Sequence, residues 1–209
     1  MKLYITKGSP YARMVRVVML EKGLENRIEL IPAQTRVPGS PYYAVNPSGR
    51  VPYLVRDDGV GFEDSKLICA YLDQLDGKPA FELPSGAQTW EARRLEAVAT
   101  SMMDGIAVWA RELMRPESDR SATILRHEAE RGERLADYWE SEISHPWMGG
   151  PLNLAQITLA CALGFDPWVP GFGWRNGRPN LAVWLDQILA RPSFVATQPP
   201  VPHPPVPNK

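Results

Sequence analysis

The chain has 209 residues, of which 44% are hydrophobic and 22% are charged, and its formal net charge is −1. This composition is that of an ordinary water-soluble protein with a substantial core, and the length allows one large domain or two small ones. Because no basic excess is present to attract a phosphate backbone, we expect no nucleic-acid partner. No apolar stretch reaches the roughly 18 residues that a spanning helix needs, so we expect no membrane partner either.

The start of the chain, MKLYI, passes directly into strand-like sequence and lacks the pattern of a secretory signal. The two cysteines, Cys69 and Cys161, both fall in helix-like segments. They could pair with each other, but two reduced thiols in a reducing compartment are the simpler interpretation. We therefore predict a cytoplasmic protein.

The first 80 residues alternate between strand and helix signals. Strand patterns occupy residues 2–6, 27–31, 52–56 and 60–62, and helix starts are indicated at Ser9-Pro10 and Asp64-Ser65. A short helix is expected in the loop between the second and third strands. The first two strands, which are joined by a helix, should be parallel, and the last two should form an antiparallel hairpin.

Strand signals stop after residue 79, and helical patterns follow at residues 90–115, 120–143, 153–165 and 181–189. Residues 153–165 are nearly all apolar and predict the central buried helix. Asn153 and Gln156 have the spacing of a capping box at its start. We predict a first domain over residues 1–77, a linker at 78–86, an all-helical domain at 87–198, and a proline-rich, extended or disordered tail at 199–209.

Three motifs stand in order in the first half, and a fourth stands in the second. They are SPYARMVR at residues 9–16, NPSGRVPYL at 46–54, FEDSKLICAYL at 62–72 and NLAQIT at 153–158. Together they resemble the cytosolic glutathione transferases, in particular an uncharacterised bacterial branch. The resemblance covers the chain except its tail. It implies an α/β thioredoxin-like N-terminal domain, an all-α C-terminal domain, glutathione as co-substrate and a homodimer.

Val51-Pro52 resembles the position of the family's cis-proline. The resemblance implies that the Val51 amide and carbonyl point outward and pair with the cysteinyl backbone of glutathione, as an added strand does. A trans proline that simply begins a strand would explain the same two residues. Arg50 would lie beside the glycyl carboxylate, and a solvated loop charge is its alternative role.

Asp64-Ser65 resembles the family's γ-glutamyl contact. The Ser65 hydroxyl and amide, with the helix dipole, would hold the γ-glutamyl carboxylate, and Asp64 would take the ammonium group. Plain helix capping explains the same residues, and both roles can coexist. The family more often has Glu or Gln where this chain has Asp64, so its reach is one methylene shorter.

Ser9 resembles the position at which Ser, Cys or Tyr meets the glutathione sulfur. A hydroxyl donor at a helix start would stabilise the thiolate and lower the pKa of the thiol. Capping of the helix before Pro10 is the competing interpretation. Tyr11 and Arg13 are close enough in sequence to add a second donor or a positive field. Family members that reduce disulfides through a mixed disulfide usually have Cys here, so Ser9 disfavours that chemistry.

Other residues have weaker assignments. The acceptor pocket implied by the resemblance would be lined by Tyr11, Met102, Ile106 and Trp109, although the last three are also ordinary core residues. Asp104 would contact the γ-glutamyl ammonium across the dimer, or else serve as a surface or interface polar group. The histidines at 127, 145 and 203 have no mutual spacing that predicts a metal site.

The leading functional hypothesis is a glutathione transferase that activates the glutathione thiol to attack small electrophiles in detoxification. A glutathione-dependent peroxidase or disulfide reductase would share the binding site and differ in its acceptor. A non-catalytic member of the fold that acts in regulation or interaction is the third hypothesis.

Overall fold

The computed structural model describes residues 1–81 and 83–201. Contacts divide the chain into two compact units, the first containing Met1–Glu82 with Pro192–Pro200 and the second containing Leu83–Arg191. Within the first unit, the buried Arg13 guanidinium donates to the Phe194 carbonyl at 3.2 Å and lies over the Phe194 ring. This contact explains why residues 192–198, which we had placed in the helical domain, group with the first unit. The predicted tail lies outside the described residues from 202 onward.

The first unit is built on a four-stranded sheet in the order β2-β1-β3-β4. Its strands are β1 (Lys2–Ile5), β2 (Glu29–Pro32), β3 (Tyr53–Val55) and β4 (Gly61–Glu63). β1 and β2 are parallel, whereas β1 with β3 and β3 with β4 are antiparallel. The predicted strand directions are therefore confirmed.

Four helices complete this unit: α1 (Pro10–Glu21), α2 (Tyr42–Val45), α3 (Ser65–Gln74) and α9 (Pro192–Ala196). α1 ends where Gly23 takes a positive φ of 61°, a conformation that glycine adopts without steric cost. α1 packs against α3, and each helix has fully buried side chains, among them Val15 and Ile68. Together with the sheet, these helices give the α/β arrangement that the sequence predicted.

In the part that the structure describes, the second unit contains helices and connecting loops and no strand. It contains α4 (Gln88–Leu113), α5 (Ala122–Glu142), α6 (Pro146–Gly149), α7 (Leu154–Leu163) and α8 (Pro179–Leu189). Every residue of α7 after Leu154 is buried, which confirms the predicted central helix. α6 and α9 were not predicted, because four or five residues are too few to show helical periodicity. No described helix is long and apolar enough to cross a membrane.

The capping box of α7 is formed as predicted. The Asn153 Oδ1 accepts a hydrogen bond from the Gln156 amide at 3.1 Å, and the Gln156 Oε1 accepts one from the Asn153 amide at 3.0 Å. The Gln156 Nε2 also donates to the Met148 carbonyl at 2.7 Å. An ionised aspartate at this position could not make that donation, so glutamine joins the cap to α6 as well.

An ion cluster ties the end of α1 to the last turn of α3 and the segment that follows it. The Lys22 Nζ lies 2.9 Å from Asp76 and 3.4 Å from Asp73, and the Lys22 side chain is only 3% exposed. Burial acts to lower the pKa of Lys22, but the hydrogen bonds to Asp76 and Asp73 outweigh it, so this pKa is raised. The hydrogen bond from Lys22 lowers the pKa of Asp76. The cluster therefore favours the charged form of both groups.

Candidate functional site

The strand register places the predicted site segments at one edge of the sheet. Tyr4 pairs with Tyr53, and Tyr53 pairs with Glu63, so these positions lie side by side on neighbouring strands. Because β3 runs antiparallel to both neighbours, the chain enters β3 at the edge where it leaves β1 and β4. Three predicted groups meet this edge: Ser9, Val51-Pro52 and Asp64-Ser65.

The Val51-Pro52 peptide bond is cis, the isomer that the resemblance implies. Pro52 is buried, and Val51 is half-buried just before β3. Within the described residues, the Val51 amide and carbonyl form no hydrogen bond with the rest of the chain. Both groups are thus available to an extended peptide backbone.

The loop that precedes Val51 is held by side chains of α2 and of its own turn. The Tyr42 hydroxyl and the Asn46 Nδ2 both donate to the Arg50 carbonyl, the latter at 3.0 Å. The Arg50 amide donates to the Ser48 Oγ at 3.1 Å. Burial raises the pKa of the Tyr42 phenol, so its hydroxyl stays a donor at neutral pH. Gly49 closes the turn at a φ of 67°. Both backbone polar groups of Arg50 are therefore fixed, and its side chain is exposed.

Asp64 caps α3 from a strained backbone conformation. Its φ is 80°, which is uncommon for a residue other than glycine and costs on the order of 1–3 kcal/mol. Its Oδ1 accepts hydrogen bonds from the Lys66 amide at 2.8 Å and the Leu67 amide at 3.2 Å. The capping role is therefore present in the structure. Its Oδ2 forms no hydrogen bond within the described chain.

Ser65, the first residue of α3, keeps hydrogen-bond donors that no other group of the described chain uses. It is 7% exposed, and neither its amide nor its hydroxyl takes part in a hydrogen bond among the described residues. It stands at the positive end of the α3 dipole, where backbone amides attract anions. One residue thus caps the helix while the next keeps its donors available.

Ser9 caps α1 and keeps one hydrogen to donate. Its Oγ accepts a hydrogen bond from the Ala12 amide at 3.2 Å, so the capping interpretation holds in the structure. A hydroxyl that accepts one bond can still donate another. Pro10 has no amide hydrogen to compete at this helix start. Tyr11 is half-buried on the next position of α1.

Comparison with known proteins agrees with this arrangement. The family model described as glutathione S-transferase, N-terminal domain, matches residues 8–75, which include all three groups at the sheet edge. The uncharacterized GST-like protein YibF of Escherichia coli (strain K12) is 31% identical over 96% of this chain and 99% of its own length. The chain belongs to the glutathione S-transferase family.

Two further matches of this glutathione S-transferase family member cover nearly its whole length. Glutathione S-transferase 3 of Zea mays is 28% identical over 100% of this chain and 97% of its own. A crystal structure of a glutathione transferase family member from Pseudomonas fluorescens Pf-5, solved with bound glutathione, superposes with a TM-score of 0.85 at 33% identity. That match covers 96% of this chain and 99% of the other.

The residues proposed to line an acceptor pocket in the second unit are buried in this family member. Met102, Ile106 and Trp109 are 1%, 2% and 8% exposed. The Trp109 ring also packs on Phe172, with ring centroids 5.4 Å apart. Their burial favours the core role that we left open for them. Asp104 is exposed on the same helix, and its contact across a dimer stays a prediction.

Sequence reasoning missed the side chains that support the site. Tyr42 and Asn46 hold the Arg50 carbonyl, and Ser48 contacts Glu63 on β4. The NPSG turn was recognised as a turn, but its link to β4 joins residues that are fifteen positions apart. No local pattern in the sequence signals such a contact.

Proposed function

We propose that this chain is a glutathione transferase that binds glutathione at the sheet edge of its first unit and activates the thiol. The observation that carries the proposal is that several hydrogen-bond donors and acceptors at that edge have no partner within the described chain. Val51 offers an unused amide and carbonyl, and Ser65 offers an unused amide and hydroxyl at a helix start. Such groups recognise a peptide backbone and a carboxylate, the two features that glutathione carries.

Each part of the tripeptide has a proposed partner. The cysteinyl backbone pairs with Val51 beside Pro52, and the γ-glutamyl carboxylate binds the Ser65 donors. The Asp64 Oδ2, which is not used in capping, takes the γ-glutamyl ammonium, so the shorter side chain serves both purposes. Arg50 lies on the same loop with an exposed guanidinium for the glycyl carboxylate.

Ser9 is proposed to stabilise the glutathione thiolate. A thiol has a pKa of about 8.5, and each tenfold gain in thiolate requires about 1.4 kcal/mol. Donation from the Ser9 hydroxyl, together with the α1 dipole, stabilises the anion and supplies this energy. The sulfur then forms a bond to an electrophilic carbon, and a leaving group departs or the product carbanion takes a proton.

The acceptor is proposed to be a small electrophile, with Tyr11 near the sulfur. A disulfide mechanism through the chain's own thiols is disfavoured, because Cys69 and Cys161 are fully buried and form no disulfide. A cytoplasmic homodimer, with Asp104 reaching the γ-glutamyl ammonium across the interface, completes the proposal.

Titration calorimetry and initial-rate kinetics test this function. The protein should bind glutathione at submillimolar to millimolar concentration and conjugate it to chlorodinitrobenzene. The Ser9→Ala variant should keep its glutathione affinity within about threefold and lose about tenfold in kcat, as expected for one hydrogen bond to the thiolate. Ser144→Ala, which changes an exposed serine of the second unit, is the matched control. Absence of glutathione binding at 10 mM, about the highest concentration worth testing, would refute the proposal.

A further inference from the structure

One side-chain contact joins the two segments that the proposed site presents to glutathione. The Ser48 hydroxyl donates a hydrogen bond to the Glu63 Oε2. Ser48 lies in the loop that leads to Val51, and Glu63 directly precedes Asp64 at the end of β4. The contact therefore links the loop before β3 with the segment after β4.

The Ser48 hydroxyl both donates and accepts a hydrogen bond. While it donates to Glu63, its Oγ accepts the hydrogen bond from the Arg50 amide at 3.1 Å. Its own amide donates to the Asn46 Oδ1 at 3.1 Å. A continuous chain of hydrogen bonds thus runs from Asn46 to Glu63 and includes the backbone next to Val51.

The other supports of this loop connect it elsewhere. Tyr42 and Asn46 anchor the Arg50 carbonyl to α2. β3 and β4 pair through Tyr53 and Glu63, but Val51 lies outside that ladder. The Ser48–Glu63 contact is thus suited to set the spacing between Val51 and the start of α3.

We propose that Ser48 and Glu63 form a positioning pair that holds the Val51 backbone and the α3 start at the separation that glutathione requires. This inference rests on the proposed function, because it concerns the same site. A ligand that binds two segments at once gains affinity when their separation is fixed beforehand, since less order must be created on binding.

The pair is placed to affect binding more than folding. Ser48 is exposed and Glu63 is half-buried, and a hydrogen bond in water-accessible surroundings adds little to global stability. Its removal leaves the sheet and α2 with their own contacts. Loss of ligand affinity in a stable protein is therefore the expected result.

The test is a double-mutant cycle on glutathione affinity and turnover with chlorodinitrobenzene. Ser48→Ala and Glu63→Ala should each raise the glutathione Kd about fivefold, the effect of one hydrogen bond to a carboxylate near the surface. The double variant should bind no more weakly than the weaker single variant, because both changes remove one contact. The kcat at saturating glutathione should stay within about twofold, which marks a positioning rather than a catalytic role.

Two variants serve as controls. Ser48→Thr keeps the hydroxyl and should bind glutathione with the Kd of the wild-type protein. Glu25→Ala removes an equal charge from an exposed residue and should leave the Kd unchanged. Unchanged affinity in Ser48→Ala and Glu63→Ala, or additive losses in the double variant, would overturn the pairing.

Amide hydrogen exchange in the ligand-free protein separates this inference from the proposed function. Glu63→Ala should speed exchange at the Arg50 amide by about fivefold or more, because the Ser48 hydroxyl that accepts from this amide is released. It should leave the Ala12 amide unchanged. If the wild-type protein binds no glutathione, the proposed function is refuted. If the wild-type protein binds glutathione and Glu63→Ala has the same amide exchange and the same affinity, the positioning pair alone is refuted.

Discussion

The N-termini of α3 and α7 use the same capping chemistry and differ in what they leave open. At α7, Asn153 and Gln156 are buried, and each side chain accepts from the other's backbone amide. At α3, the exposed Asp64 accepts from two amides further along the helix, and Ser65 keeps its own amide and hydroxyl. The α7 start is closed on itself, whereas the α3 start keeps the unused donors of Ser65 beside the exposed Asp64.

This difference separates a structural cap from a binding cap. Buried donors that lose their partners carry a full desolvation penalty, so a closed cap is worth most to folding. Donors that have no partner within the protein can bind a ligand without first breaking an internal hydrogen bond. Stability should therefore depend on Gln156, whereas affinity for glutathione should depend on Ser65.

The largest effect is expected at the closed cap. Gln156→Ala should lower the free energy of unfolding by about 2–4 kcal/mol, because it leaves the buried Asn153 amide without a partner and removes the Gln156 hydrogen bond to the Met148 carbonyl, which keeps only its bond from the Trp184 indole. Urea denaturation measures the loss, and Gln187→Ala on the exposed face of α8 is the control. The folded fraction of the Gln156→Ala variant should bind glutathione with the affinity of the wild-type protein. A loss as small as that of the control would mean that the two caps do not differ.

Ser65→Ala should show the opposite pattern. Its glutathione Kd should rise about tenfold, since a charge-assisted hydrogen bond is lost, while its unfolding free energy changes by less than about 0.5 kcal/mol. Calorimetry and urea denaturation on the same preparation give both numbers. If the unfolding free energy falls and the glutathione affinity does not, Ser65 has a structural role like that of Gln156 and does not bind the ligand.

Asp64 allows the cost of its backbone conformation to be measured. Asp64→Ala removes the cap and keeps a side chain at a φ of 80°, whereas Asp64→Gly removes the cap and suits that φ. We expect the Gly variant to be more stable than the Ala variant by about 1 kcal/mol, from thermal or urea unfolding. Equal stability would show that the positive φ carries no strain.

The smallest effect concerns the Lys22 cluster, which lies away from both caps. Its raised Lys22 pKa gives stability that is present below the ordinary lysine pKa and is lost as pH rises through the folded value. The lowered pKa of Asp76 gives stability that is lost as pH falls through its folded value, below the ordinary aspartate range. Unfolding measured from pH 3 to 11, a range of about eight units, should show both losses in the unchanged protein. Lys22→Met should show smaller losses at both ends of the range, and an alkaline loss that matches that of the wild-type protein would contradict the assignment.

The sequence predicted the elements that local patterns encode. The parallel β1–β2 pair, the β3–β4 hairpin, the helix start at Ser9-Pro10 and the capping box of α7 all follow from short-range signals. The grouping of α9 with the first unit did not, because it depends on the contact between Arg13 and Phe194 across 181 positions. The supports of the proposed site are long-range too, as Ser48 and Glu63 show. Whether Ser9 or Asp64 caps, binds or does both depends on which hydrogen bonds remain unused, and no pattern of residues reveals that.

Titration of isotopically labelled protein with glutathione, followed by amide chemical shifts, tests the central claim most directly. The account predicts that the Val51 and Ser65 amides shift together and saturate with one Kd. The Asn153 amide, which is closed by Gln156, should not respond. Saturation with shifts confined to residues away from the sheet edge, or no shift at Val51 and Ser65, would contradict the claim that this edge binds glutathione.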